Sequence, residues 1–308
     1  MHNYHCRLVL FLLFLCLILS ACTEASSDVP APPAPTSFSM DSLVLPEPAC
    51  SDLKSAPVYF DGLLSDRAYW NGSNIYVSPA LLASLAGSSC STTVLSESVL
   101  LQFPTLTVHW EKGEEILLAG ARYLYAPGGC LIIQDQLYLP PETISHLFSV
   151  AVSCSDKENR VDIDTAGLHL MADSTPDYYE RNYSADDIYW LSRLIRAEAE
   201  NEPLSGQIGV GNVVLNRVSN PKFPYTVLDV ILEHSNATQF DSAAEGAILN
   251  DPSDRSVIAA YLCMEGFNTV DNSLYYVNPS VVDAGWFRNN LRLICIIGNH
   301  EFYGEANP

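Results

Sequence analysis

The stretch Ser184-Ala-Asp-Asp-Ile-Tyr-Trp-Leu-Ser-Arg-Leu-Ile-Arg-Ala-Glu198, with Glu202-Pro203 and Gly206-Gln-Ile-Gly-Val-Gly-Asn-Val-Val-Leu-Asn-Arg-Val218 behind it, decides the fold of this chain of 308 residues. Ser184 and Asp187 have the form of a capping box, the hydroxyl accepting from a first-turn amide and the carboxylate reaching back. Asp186 and Asp187 also complement the positive end of the helix dipole. Ile188, Leu191, Leu194 and Ile195 draw one apolar stripe at helical spacing. The helix is expected to stop at Glu202-Pro203, because a proline disfavours helical geometry in the residue before it. In the next helix Ile208, Val210, Val213, Val214, Leu215 and Val218 read as deeply buried, with Gln207, Gly209 and Gly211 facing out of a small-residue stretch.

Continuing the first stripe leads to Glu198. A carboxylate on the buried side of an amphipathic helix is unusual, since desolvation disfavours its charge. Two readings compete. Glu198 is a core carboxylate satisfied by Arg193 or Arg217, or it is a general acid with a raised pKa near the open end of a helix.

Outside this helical pair the chain changes character. Arg7 precedes an apolar run from Leu8 to Leu19, too short to span a bilayer of ~30 Å, which ends in Leu19-Ser-Ala-Cys22. Residues 1–22 therefore resemble a bacterial lipoprotein signal, and that resemblance implies export, lipidation at Cys22 and a membrane anchor on the outer face of the cytoplasmic membrane. Residues 23–55, rich in Pro, Ala and Ser, read as an extended tether. With 15 basic and 36 acidic residues the chain carries −21, which disfavours nucleic acid and anionic head groups and leaves membrane attachment to acyl chains.

Residues 56–165 hold short apolar runs broken by Gly, Asn and Asp, as strands and turns require. A repeat is visible at an offset of 62 residues: Asn74-Ile-Tyr-Val-Ser-Pro79 with Leu81, Leu82 and Leu85 recurs as Gln136-Leu-Tyr-Leu-Pro-Pro141 with Ile144, Leu147 and Phe148. Each copy reads as a strand, a proline at a helix start and a short helix. The pattern resembles the copper amine oxidase N-terminal-like domain, a stalk or accessory module. No copper chemistry is implied, because His109 and His146 stand isolated and read as surface residues. Residues 166–183 read as a second linker. The expected fold class is α+β: a small β-rich module followed by a mainly helical domain over 184–308 with a small β element. Six cysteines after Cys22 permit disulfides in an exported chain, Cys263 with Cys295 being the pairing within the last domain.

The helical pair, Phe223-Pro224, Gln239-Phe240, Leu274-Tyr-Tyr-Val-Asn-Pro279, Trp286 and Ile297-Gly-Asn-His-Glu-Phe-Tyr303 together resemble the SleB-type, spore-cortex-lytic cell wall hydrolases over essentially all of 184–308. That resemblance implies a lysozyme-related domain, peptidoglycan strands as substrate, lytic transglycosylase activity and no cofactor. It places the family's catalytic glutamate on Glu198, with Glu200 and Asn201 where the family usually has Arg and Gly. Gln207, Gln239, Tyr275, Tyr276 and Asn278 are candidate substrate contacts, the tyrosines by stacking on sugars and the amides by hydrogen bonding. Glu202, one helical turn from Glu198, is a supporting carboxylate, since two acids stacked on one face do not flank a sugar ring. Trp286 is a core anchor or a sugar platform, and His300 reads as structural. A metal-dependent amidase is the nearest rival, disfavoured because His234 and His300 are the only histidines in 184–308. A non-catalytic wall-binding lipoprotein is the rival of another class.

Overall fold

The computed structural model describes residues 53–172, 183–233, 240 and 246–306. The lipidation motif at Cys22, most of both linkers and Gln239 lie outside the described residues. Among the described residues no helix is long and apolar enough to cross a membrane.

The fold is α+β. Its first part runs β1 (Lys54–Phe60), β2 (Leu63–Asn71), β3 (Asn74–Tyr76), α1 (Ala80–Leu85), β4 (Ser91–Val94), β5 (Ser98–Gln102), β6 (Thr107–Glu111), β7 (Ile116–Ala119), β8 (Arg122–Tyr125), β9 (Leu131–Ile133), β10 (Gln136–Tyr138), α2 (Pro141–Phe148), β11 (Ala151–Ser155) and β12 (Arg160–Asp164). One five-stranded sheet has the order β11-β12-β1-β2-β3, the other is the meander β4 to β8, and β9 pairs with β10. Among the described strands only the β1–β12 pairing is parallel.

The sequence repeat has a structural counterpart. Each copy is a hairpin, a proline, a short helix and a left-handed residue before the next strand. Gly72 and Gln134, both with positive φ, turn the two hairpins, and Gly87 and Ser149 follow the two helices, again with positive φ. The copies also meet. Val77 and Leu139, equivalent positions of the repeat, exchange backbone hydrogen bonds of 2.8 and 2.9 Å, so the module closes about a local two-fold relation.

The second part comprises α3 (Ala185–Ala199), α4 (Leu204–Val218), α5 (Val227–Ile231), a 3-10 turn at Ala247–Leu249, α6 (Asp254–Met264), β13 (Tyr275–Val277), α7 (Gly285–Asn290), β14 (Leu291–Ile297) and β15 (His300–Glu305), with β15 central in a three-stranded antiparallel sheet. The capping box opens α3 as the sequence suggests: the Asp187 amide donates to Ser184 Oγ at 3.3 Å and the Ser184 amide to Asp187 Oδ2 at 2.6 Å. The stripe Ile188, Leu191, Leu194 and Ile195 is buried.

Helix α4 is buried on nearly every side, and this corrects the expectation that Gln207, Gly209 and Gly211 face outward. A Cβ on Gly209 would lie 2.8 Å from Val270 and 2.9 Å from Phe302, and one on Gly211 would lie 2.6 Å from Cys263 Sγ. The glycines admit α6 and β15 against the helix backbone rather than a ligand.

The two parts share one apolar core, joined through a contact that sequence periodicity does not encode. Arg122 on β8 clasps Glu265 after α6 through Nε and Nη2, one edge of its guanidinium, Nε lying 3.0 Å from Oε1, and Glu265 is only 2% exposed. Tyr123 packs against Tyr261, and Tyr125 meets Phe267 edge-on. His146 stacks on Phe267 with centroids 3.7 Å apart, which corrects its reading as an isolated surface residue. His109 pairs with Glu111 at 3.2 Å.

The expected disulfides are also corrected. Cys90, Cys130, Cys154, Cys263 and Cys295 are free thiols. Cys263 Sγ donates to the Ile208 carbonyl at 3.4 Å where α6 crosses α4, while Cys295 reaches the Thr269 carbonyl at 3.9 Å, so the two face different partners.

Candidate active site

Glu198 occupies the last turn of α3 and is half-buried, at the end of the stripe that anchors the helix. The Tyr276 hydroxyl donates to its Oε2 at 3.0 Å. Tyr276 itself is 4% exposed, on the helix-facing side of β13. Its ring is set among Phe240 (6.2 Å between centroids), His300 (5.1 Å) and Phe302 (5.9 Å). The acid is therefore met by a phenol whose own position is over-determined by packing. Of the two arginines considered as partners, Arg193 donates to Asp251 at 2.6 Å, and Arg217 gives its Nε to the Leu274 carbonyl at 2.7 Å.

Glu202 lies one helical turn from Glu198 in sequence, but its surroundings differ. It is 9% exposed, and Asn299 donates to it twice, the backbone amide to Oε2 and the side-chain amide to Oε1, each at 2.9 Å. Gly298, with φ of 57°, makes this possible: a Cβ there would sit 1.9 Å from Glu202 Oε2. Glu202 thus ties the end of α3 to the turn between β14 and β15.

The remaining candidates separate. Gln207 is 1% exposed and its Nε2 donates to the carbonyls of Glu202 (3.2 Å) and Glu200 (3.4 Å). In that placement the Gln207 amide nitrogen serves the loop after α3, while its Oε1 is buried without a hydrogen-bond partner. Tyr275 points to the opposite face of β13 from Tyr276, near Phe223 (6.2 Å) and the Arg217 guanidinium (5.2 Å). Burial lowers the pKa of Arg217, and the phenols of Tyr275 and Tyr276 oppose that shift. Asn278 begins a turn, its Oδ1 accepting from the Ser280 amide and hydroxyl at 3.0 and 2.5 Å. Trp286 on α7 is 60% exposed with its edge to Phe287, which corrects the core-anchor alternative.

Sequence reasoning missed two features. Asn299, inside the closing motif, reaches Glu202, and its signal was the Gly-Asn pair at a tight turn. The outer face of the small sheet carries a cluster in which Arg288 clasps Glu301 while the Tyr303 hydroxyl donates to the same carboxylate. These contacts lower the pKa of Glu301 from its ordinary value, the Arg288 bond contributing most.

With this geometry described, comparison with known proteins is direct. Residues 201–303 match the model of the family described as Cell Wall Hydrolase. Over that range the chain is similar to the cell wall hydrolases. The matched range opens just after Glu198. A spore cortex-lytic enzyme of Oceanobacillus iheyensis is 35% identical over 122 residues, covering 40% of this chain and 43% of that protein. The enzyme of the same name from Bacillus subtilis strain 168 is 32% identical over 120 residues, covering 39% of this chain and 38% of that protein. The solved catalytic domain of the germination-specific lytic transglycosylase SleB from Bacillus anthracis is 32% identical, with 42% of this chain and 100% of that domain covered and a TM-score of 0.37. The chain spans less than half the length of the curated relatives it matches.

Proposed function

We propose that the chain is a peptidoglycan-cleaving enzyme, a lytic transglycosylase that cuts the bond between N-acetylmuramic acid and N-acetylglucosamine with Glu198 as its one acid and base. The observation that carries this reading is the contrast between the two neighbouring carboxylates. Glu198 is presented at a helix end and oriented by Tyr276, whereas both oxygens of Glu202 are taken up by Asn299. A two-carboxylate mechanism needs a second acid across the sugar ring. A single acid suffices when the substrate brings its own nucleophile.

In that mechanism protonated Glu198 gives its proton to the glycosidic oxygen as the bond to muramic acid C1 breaks. The C6 hydroxyl of the same sugar then forms the new bond to C1 and returns a proton to the Glu198 carboxylate. The product carries a 1,6-anhydromuramoyl end, and the acid is regenerated without a cofactor. Tyr275 opens β13 and Asn278 follows its last residue; both are candidate sugar contacts, with Gln239 a further one outside the described residues.

Export and anchoring through a lipidated Cys22 belong to this proposal on the strength of the Leu19-Ser-Ala-Cys22 motif. The names of the relatives make spore cortex the first substrate to test. The decisive experiment is mass spectrometry of the fragments released from purified peptidoglycan. Anhydromuramoyl ends are expected, and Glu198→Gln lowers their release by about 100-fold or more while leaving the fold intact. Released peptides or free reducing ends would point to an amidase or a hydrolase, and undiminished release by Glu198→Gln would remove Glu198 from the chemistry.

A further inference from the structure

His300 is 4% exposed, yet its Nδ1 is buried without a hydrogen-bond partner. A buried polar atom left so is uncommon in folded proteins and calls for a reason. The ring stands edge-on to Tyr276, with centroids 5.1 Å apart at 75°, and to Phe302 at 6.0 Å. Its backbone follows directly on Asn299, the residue that Glu202 holds by two hydrogen bonds. The contacts therefore run from Glu202 through Asn299 and His300 to Tyr276, and from the Tyr276 hydroxyl to Glu198. A turn fixed by one carboxylate of the α3 end sets the ring that braces the phenol bound to the other.

We propose that His300 is a positioning residue for Glu198, acting through Tyr276. The inference rests on the reading of Glu198 as the acid. Edge-to-face packing on Tyr276 needs a flat ring of this size, and the phenol that this ring braces donates to the Glu198 carboxyl. The titratable groups that face His300 are Glu202 and Tyr276. Burial lowers the pKa of the imidazole and the Glu202 charge opposes that shift. The ring accordingly packs as a neutral aromatic body. A displacement of the acid by even ~1 Å is costly, because proton transfer requires hydrogen-bond reach.

The test uses the full chain and fragment release from purified peptidoglycan, with thermal melts to verify folding. Glu198→Gln comes first: undiminished release by that variant sinks the reading of the acid, whatever His300 does. With Glu198→Gln inactive, His300→Ala is expected to lower kcat by about 10-fold with KM within about 2-fold, and His300→Phe, which keeps a ring on Tyr276, to restore most of it. Tyr276→Phe removes the hydroxyl through which His300 acts, so adding His300→Ala to it should cost nothing further. Losses that multiply in the double variant, an effect on KM alone, or a wild-type kcat in His300→Ala would each overturn the proposal. Should His300→Ala fail to fold, His300→Leu fills the space without a ring and is read in the same way; if it too fails to fold, the ring supports the fold rather than the acid and the proposal falls.

Discussion

Asn299 binds Glu202 twice, through its backbone amide and its side-chain amide, at 2.9 Å each. The pair closes the gap between the end of a helix and the turn of a hairpin 97 residues further along the chain. The geometry leaves no room for a side chain at Gly298.

Removing the carboxylate should therefore cost stability before it costs chemistry. Hydrogen bonds to a charged acceptor contribute about 1.5–3 kcal/mol, so Glu202→Ala is expected to destabilise by about 3 kcal/mol. Gly298→Ala, strained at φ of 57° and in collision with Glu202 Oε2, should lose a comparable amount. Denaturant midpoints of both variants check this, and a Glu202→Ala protein as stable as the parent would remove Glu202 from the fold's support.

The contact between the β-rich module and α6 predicts a different pattern. Breaking a buried ion pair by deleting one partner leaves an uncompensated charge, at a cost of about 3–5 kcal/mol. Arg122→Ala should show such a loss, because Glu265 is 2% exposed and would stay behind. Replacing both, as Arg122→Met with Glu265→Leu, should recover much of it. A double-mutant cycle by urea denaturation measures the coupling, and additive losses would mean that the two side chains do not stabilise one another.

Much of this architecture was legible in local sequence, and the exceptions share a physical cause. The capping box at Ser184 and the stripe from Ile188 to Ile195 are short-range signals, and both describe α3 correctly. The repeat announced by Asn74–Pro79 and Gln136–Pro141 gave matching hairpin-helix units, though not that Val77 and Leu139 would pair with each other. What failed depends on partners far away in sequence. His146 looked isolated because Phe267 lies over a hundred residues on. Gly209 and Gly211 signalled close approach, but composition could not say whether a ligand or another helix approaches. At the site, Glu198 stood out through its stripe, whereas the roles of Gln207 and Asn299 depend on a loop and a turn whose meeting no periodicity records.

Those glycines give a third prediction. An added methyl at Gly211 meets Cys263 Sγ at 2.6 Å and Ile195 at 3.1 Å, inside a helix crossing without slack. Overpacking of this kind costs about 1–3 kcal/mol. Gly211→Ala should lower the melting temperature, and pairing it with Cys263→Ala, which vacates the space, should restore part of the loss. A Gly211→Ala protein that melts with the parent would show that α4 and α6 are not pressed together there.

Acid should destabilise the domain in two stages, and the signs follow from the two groups on β15 whose pKa is lowered. His300 is held below its ordinary value of 6.5, chiefly by burial. The unfolded chain therefore takes up that proton first, so stability is full above 6.5 and falls as pH drops from there to the folded-state value. Glu301 is held below its ordinary 4.5 by Arg288 and Tyr303. Its contribution is present above 4.5 and is lost as pH falls through the folded value, again because the unfolded state binds the proton more readily. Both slopes have the same sign, and the histidine step comes first on acidification. Urea midpoints measured from pH about 8 down to about 3 should show both steps. His300→Phe should flatten the first and spare the second, while Glu301→Gln should do the reverse. A first step that survives His300→Phe unchanged would mean that another group, not the buried imidazole, carries the acid sensitivity.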